Sequence, residues 1–352
     1  MPEARAIYTV ERQGLAAWVE GMLSAGVCVF APRATGEGLV VLGRLARAEE
    51  LVLEFTTTRN SIREVFMPRS EPLFRFVRNE QGLELCPAPP PKGRAVAFAV
   101  RPCDVAALAV TDKVFLDEPA DELYRARREA TAIVCLFCQS AQPTCLCGAV
   151  GGVAERALEL SDVALTPVGE GLVAEVLSEK GEELAQLARE ALRPAGADEA
   201  RAAEQARAQI EQQTRERGPL EALSAGVLDL WDSPVWEKHA ARCLACGICT
   251  YLCPVCQCFD ILDAGVMSGT RYRSWDTCQF RYFTVHASGH NPRPNQAARL
   301  RQRILHKFKY QPELLGLLGC TGCGRCVALC PVGIAHVDIL EELAAKASSG
   351  GE

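Results

Sequence analysis

The pattern C-x2-C-x2-C-x3-C-P occurs twice in this chain, as CLACGICTYLCP (243–254) and CTGCGRCVALCP (320–331). Four thiols so closely spaced can point at one place only if the backbone loops tightly around something that binds sulfur. In this spacing the first three thiolates grip one face of an iron–sulfur cubane. The fourth, followed by Pro, leads into a helix and ligates the other cluster. The spacing therefore predicts crossed ligation. Cys243, Cys246, Cys249 and Cys330 hold one [4Fe–4S] cluster, and Cys320, Cys323, Cys326 and Cys253 hold a second. Gly247, Gly322 and Gly324 let the backbone approach the sulfides. Zinc also takes C-x2-C pairs, but as two separated pairs and not as runs of four closed by Pro. Neither cluster has an open iron by this count, so one-electron relay is expected of them and not substrate chemistry.

In a compact two-cluster ferredoxin the halves follow closely, whereas here 66 residues separate Cys253 from Cys320. At 352 residues the chain suits two or three domains. Its formal net charge of −6 argues against nucleic acid as the main partner. The N-terminal stretch MPEARAIYTVERQGLAAWVEGML does not read as a secretory signal, and no run approaches the ~20 apolar residues that span a bilayer. A soluble, cytoplasmic chain is expected, with no membrane partner. Its 18 cysteines then point to metal, since disulfide frameworks belong to small secreted domains.

Residues 1–175 read as an α/β domain. GLVVLG (38–43), RAVAFAV (94–100) and ATAIVCLF (130–137) are short apolar runs bounded by turn formers or charge, which predicts buried strands. DVAALAVTDKVF and ELYRARREA read as helices between them, so some strands should be parallel. CPAPPPKG (86–93) reads as a loop. Residues 176–225 read as a polar helical linker broken at Pro194-Ala195-Gly196. Residues 226–352 form an α-helical, ferredoxin-like dicluster domain, with Ser233 capping its first helix, Pro234 at N1, and an insertion at about 257–318.

A second cysteine group falls where the α/β reading puts strand ends. Cys103 follows the strand ending at Val100, and Cys138, Cys145 and Cys147 lie beyond the next. Ligands collect at the carboxyl edge of parallel sheets, so these four are candidates for a third [4Fe–4S] site. Cys135, inside a strand, reads as a core thiol, and Cys28 and Cys86 as structural. Cys256, Cys258 and Cys278 either pack around the clusters or support a structural metal. No dinucleotide-binding glycine motif, P-loop or nucleophile–base arrangement stands out, so a flavin is expected on a partner subunit. The alternative is a self-contained iron–sulfur reductase holding its own flavin.

Beyond the spacing, the chain resembles the iron–sulfur β subunits of soluble sulfhydrogenase-type [NiFe] hydrogenases and the related A subunit of anaerobic sulfite reductase. The likeness rests on VRPCDVAAL (100–108), YRARREATAIV ahead of CQSAQPTCLC (138–147), RCLACGICTYLCPVCQCFD (242–260), RYRSWDTCQF (271–280), GHNPRP (289–294), HKFKY (306–310) and GCTGCGRCVALCPVGI (319–334). GAVGGVAER, after Cys147, departs from the family's Gly-rich SMGTGP-like stretch. The resemblance implies a non-catalytic subunit that relays electrons between an NAD(P)H-oxidising flavoprotein and the partner leading to a catalytic metal.

The insertion carries an unusual charge. From Arg271 to Lys309 there are nine Lys or Arg against one acid, Asp276, a net +8, so a chain of net −6 carries −14 elsewhere. Two roles are open to this basic island. It compensates the anionic clusters, or it presents Arg299, Arg301 and Arg303 to an acidic partner subunit.

Overall fold

The computed structural model describes residues 6–215, 220 and 230–348. Its first sheet is built from β1 (Ile7–Glu11), β2 (Cys28–Ala34), β3 (Val40–Arg44), β6 (Ala95–Val100), β7 (Thr131–Leu136), β8 (Val163–Val168), β9 (Gly171–Val176) and β10 (Leu192–Pro194). The strand order is β10-β1-β9-β8-β7-β6-β2-β3. β2, β6, β7 and β8 run parallel, and the flanking strands are antiparallel. The expected strands at 94–100 and 130–137 are β6 and β7 at the centre, buried along almost their whole length. That is why they read as unbroken apolar runs and not as alternation.

Helices cover both faces. Leu15, Trp18, Val19 and Met22 of the helix Gly14–Ser24 pack on one face against Val96, Phe98 and Val134. Trp18 is fully buried, and its indole N–H donates to the Leu184 carbonyl at 2.8 Å, so its one polar group is satisfied. The helix Pro102–Phe115 covers the other face. Arg101 in extended backbone and Pro102 at N1 start that helix, and Asp104 suits the positive end of its dipole. Just before it, Ala99 has φ +55 where the register of β6 against β7 shifts. This bulge re-aims the chain as it leaves the sheet toward Cys103.

The segment 176–225 is more than a linker. It contributes β10 to the sheet and a helix, Ala197–Gln213, that packs on β8; its residues 216–219 and 221–225 lie outside the described residues. Among the described residues the first helix after it is Val235–Ala240, one residue later than expected, with the Val235 N–H 3.4 Å from Ser233 Oγ.

A second sheet was not foreseen. β4 (Ser70–Asn79) and β5 (Gly82–Pro87) join β11 (Phe259–Gly265) and β12 (Ser268–Trp275) in the order β11-β12-β4-β5, all antiparallel. Cys86 and Pro87, expected in a loop, belong to β5. The insertion is therefore built partly of strands, and its hairpin completes a sheet begun nearly 200 residues earlier in the chain.

Candidate iron–sulfur centres

Cys243, Cys246, Cys249 and Cys330 line one cavity, walled by Leu300, Ile304 and Ile339 and touched by Arg303. The loop that carries the first three passes through Ala245 at φ +53 and Gly247 at φ +74. A Cβ on Gly247 would press to 3.1 Å on Thr277 and on the Tyr251 ring, and its φ of +74 favours glycine there. Donors aim at the sulfurs: Gln296 Nε2 reaches Cys243 at 3.1 Å, and the Ile334 N–H reaches Cys330 at 3.3 Å.

Of the second quartet, Cys323 faces Cys253 and Cys326, and Cys320 faces Cys326; Cys326 also lines the first cavity. Lys307 Nζ donates to Cys253 Sγ at 3.2 Å, and the Gly322 N–H to Cys320 Sγ at 3.4 Å. His336 lies between Cys320, 3.8 Å from Nε2, and Cys326, 3.6 Å from Nδ1.

Cys103, Cys138, Cys145 and Cys147 line a third cavity. Parallel pairing of β6 with β7 sets their carboxyl ends side by side, and the four thiols lie just beyond, Cys103 in the first turn of the helix Pro102–Phe115 and Cys147 at the start of the short helix Cys147–Val150. The walls are not confined to residues 1–175. Arg207, Ile210 and Glu211 of the helix Ala197–Gln213 close one side, and Gly322 and Cys323 another. Thr214 Oγ1 lies 3.3 Å from Cys147 Sγ.

Burial is the dominant influence on most of these thiols. It pushes Cys138 up to about 11 despite Arg101, and Cys249 and Cys323 up to about 12 despite Arg303 and Arg325. Cys103 is raised well above the ordinary thiol range. Buried thiols of this kind become thiolates when a bound cation compensates them, which is the chemistry iron ligation supplies. Cys253 and Cys320 are exceptions: the Cys256 hydrogen bond, Lys307 and Arg303 hold Cys253 well below the ordinary thiol range, and at Cys320 His336 and Lys307 outweigh burial. Among the described residues no three His, Cys, Asp or Glu converge tightly enough to grip a single metal ion. The first and third quartets stand around cavities instead, and the residues fit clusters.

The remaining cysteines behave differently. Cys135 is fully buried in β7, Cys28 is half-buried and Cys86 is exposed. The thiol of Cys256 hydrogen-bonds to Cys253, and that of Cys258 to Cys278. Arg63, buried and stacked 3.2 Å over Trp275, donates to the carbonyls of Thr250 and Cys256 beside them.

Part of the basic island turns inward, which removes Arg299 and Arg303 from the docking role considered for Arg299, Arg301 and Arg303, while Arg301 is half-buried and Arg281 exposed. Arg299 and Arg303 are at least nine-tenths buried, and Lys307 is too. Arg303 faces Cys249, Cys326, Cys256 and Cys253, whose charges outweigh the burial that would otherwise lower its pKa. Arg299 is held by Gln296 and the Arg293 carbonyl beside Cys243. Arg301 stacks 3.7 Å over Trp231. Arg273 is locked between Glu71 and Asp121. Sequence reasoning missed the roles of Arg101, Arg325 and Lys307; the only hint was their adjacency to Cys in RPCD and CGRC, and their place in HKFKY.

A family model described as a 4Fe-4S dicluster domain matches residues 242–334, which contain the first two quartets. Sulfhydrogenase 2 subunit beta of Pyrococcus furiosus is 31% identical over 301 residues, covering 84% of this chain and 86% of that protein. The match extends well beyond the dicluster region, into the part that holds the third quartet. The chain thus belongs to the sulfhydrogenase β-subunit family of iron–sulfur electron-transfer proteins.

Proposed function

We propose that this chain is the relay subunit of a multisubunit sulfhydrogenase-type oxidoreductase and carries three [4Fe–4S] clusters. The observation that supports this reading best is the gathering of Cys103, from the helix after β6, and Cys138, Cys145 and Cys147, from the segment after β7, around one cavity beside Cys323. A bound [4Fe–4S] cluster takes up and gives back one electron at a time. The chain holds the clusters in fixed positions, shields them with apolar walls and offsets their charge with buried Arg303, Arg325 and Lys307. The ligands are those of the crossed scheme, with Cys253 on the second cluster and Cys330 on the first.

Electrons enter from an NAD(P)H-oxidising flavoprotein and leave toward a catalytic metal subunit, or run in reverse. The relative's designation as a β subunit supports assembly with other chains. So do large apolar residues left exposed: Val266 and Met267 at the β11–β12 turn, Leu83 and Leu85 on β5, and Leu244 next to the first quartet. Among the described residues no helix is long and apolar enough to cross a membrane, and we place the complex in the cytoplasm.

Iron and acid-labile sulfide measured anaerobically on the full chain test the cluster number. About twelve irons per chain are expected; about eight would remove the third cluster. Flavin released on denaturing the isolated chain would overturn the assignment of flavin to a partner.

A further inference from the structure

The third quartet and the second ferredoxin-like half, far apart in sequence, meet along a seam. Cys323 packs with Cys103 and Cys147 in one apolar cluster around Ala106 and Val153. The two loops are interlocked. The Leu146 N–H donates to the Gly322 carbonyl at 2.8 Å. Gly322, at φ +66, lies so close that a Cβ there would collide with the backbone of Leu146 and Cys147.

One ion pair crosses the seam. Arg325 donates to Asp104 through both arms of its fork, Nη1 to Oδ1 at 2.9 Å and Nη2 to Oδ2 at 2.6 Å. Its Nε donates to the Thr58 carbonyl at 2.8 Å. The side chains are 1% and 2% exposed. A buried pair of this kind adds little stability over an apolar pair of equal volume, so stability alone does not account for it. Its placement does. Asp104 follows Cys103, a ligand of the third site, and Arg325 sits between Cys323 and Cys326, ligands of the second. In so dry a setting a unit charge acts strongly on its neighbours, and charge and hydrogen bonding near a cluster are what set its reduction potential.

We infer that Arg325 and Asp104 form a positioning pair that couples the third and second clusters, fixing both ligand loops and setting both potentials. These clusters are then neighbouring stations of the relay, with the first cluster beyond the second through the crossed ligands Cys253 and Cys330. The inference rests on the three-cluster reading above.

Potentiometric EPR titration of the full holoprotein tests it, with the first cluster as internal reference. Arg325→Gln leaves a bare carboxylate, which favours the oxidised forms, so the second and third potentials fall. Asp104→Asn leaves a bare guanidinium, so both rise. Each shift is expected to be at least tenfold in the reduction equilibrium, about 59 mV for one electron, with the first cluster unmoved. Arg325→Lys keeps the charge but not the fork and stays near wild type. Shifts of the same sign in Arg325→Gln and Asp104→Asn, or none, overturn the inference. A Lys variant displaced as far as the Gln variant overturns it too, even if Asp104→Asn fails to accumulate. A wild-type protein with about eight irons would instead bring down the three-cluster reading itself.

Discussion

The ammonium of Lys307 lies 3.2 Å from the sulfur of Cys253 and 2.7 Å from the carbonyl of Gly319, in a site closed to water. Burial alone would lower its pKa, but the thiols of Cys253 and Cys256 outweigh burial and keep it charged. Replacing it with Met removes a cation and a donor from one ligand of the second cluster. The second cluster's potential should fall and its iron should leave faster to a chelator, while the first cluster keeps both properties. Redox titration with timed iron release checks this.

Crossed ligation makes its own prediction. Cys253→Ala should weaken the EPR signal of the cluster assigned to Cys320, Cys323 and Cys326 and spare the one assigned to its sequence neighbours. The thiol of Cys256 is hydrogen-bonded to that of Cys253, so it can substitute in part. The double variant with Cys256→Ala should lose the signal entirely. Loss of the first cluster instead would mean that each run serves its own cubane.

Arg273 of β12 is 4% exposed and bound to Glu71, 2% exposed, and to Asp121. Arg273→Ala strands a buried carboxylate that then depends on Arg127 alone. A loss of about 3–5 kcal/mol is expected, read as a lower urea midpoint under anaerobic conditions.

His306 has its pKa lowered from 6.5 to about 4, first by burial and then by Lys307 and Arg293. Between those values the unfolded chain binds a proton that the folded chain does not. Stability from this group is therefore complete above pH 6.5 and declines as pH falls toward 4, by at most about 3 kcal/mol. His306→Gln should flatten the urea-midpoint profile across that window and leave it unchanged above.

What the sequence revealed was what is local. The spacing within each cysteine run is dictated by the object it wraps, so Cys243 to Cys253 and Cys320 to Cys330 could be read from a dozen residues each. β6 and β7 were legible because strands buried on both faces have nowhere to place a polar residue. The second sheet was not. β11 and β12 alternate charge with apolar residues and pair with β4 across most of the chain, and no short window carries that information. Nor does composition say which way a cation faces. Arg299, Arg303 and Lys307 look like a surface in the sequence and form an interior in the fold, because thiols and carbonyls, invisible as acids in a charge count, receive them.

The late hairpin also orders the making of the protein. Phe76 of β4 pairs with Gly269 of β12, so roughly 190 residues must be synthesised before that edge is covered, about 10–40 s at ribosomal rates. By the end of that interval Cys103, Cys138, Cys145 and Cys147 exist on the nascent chain, whereas the wall built from Gly322 and Cys323 does not. The C-terminal residues are thus the last to complete the wall around these four thiols.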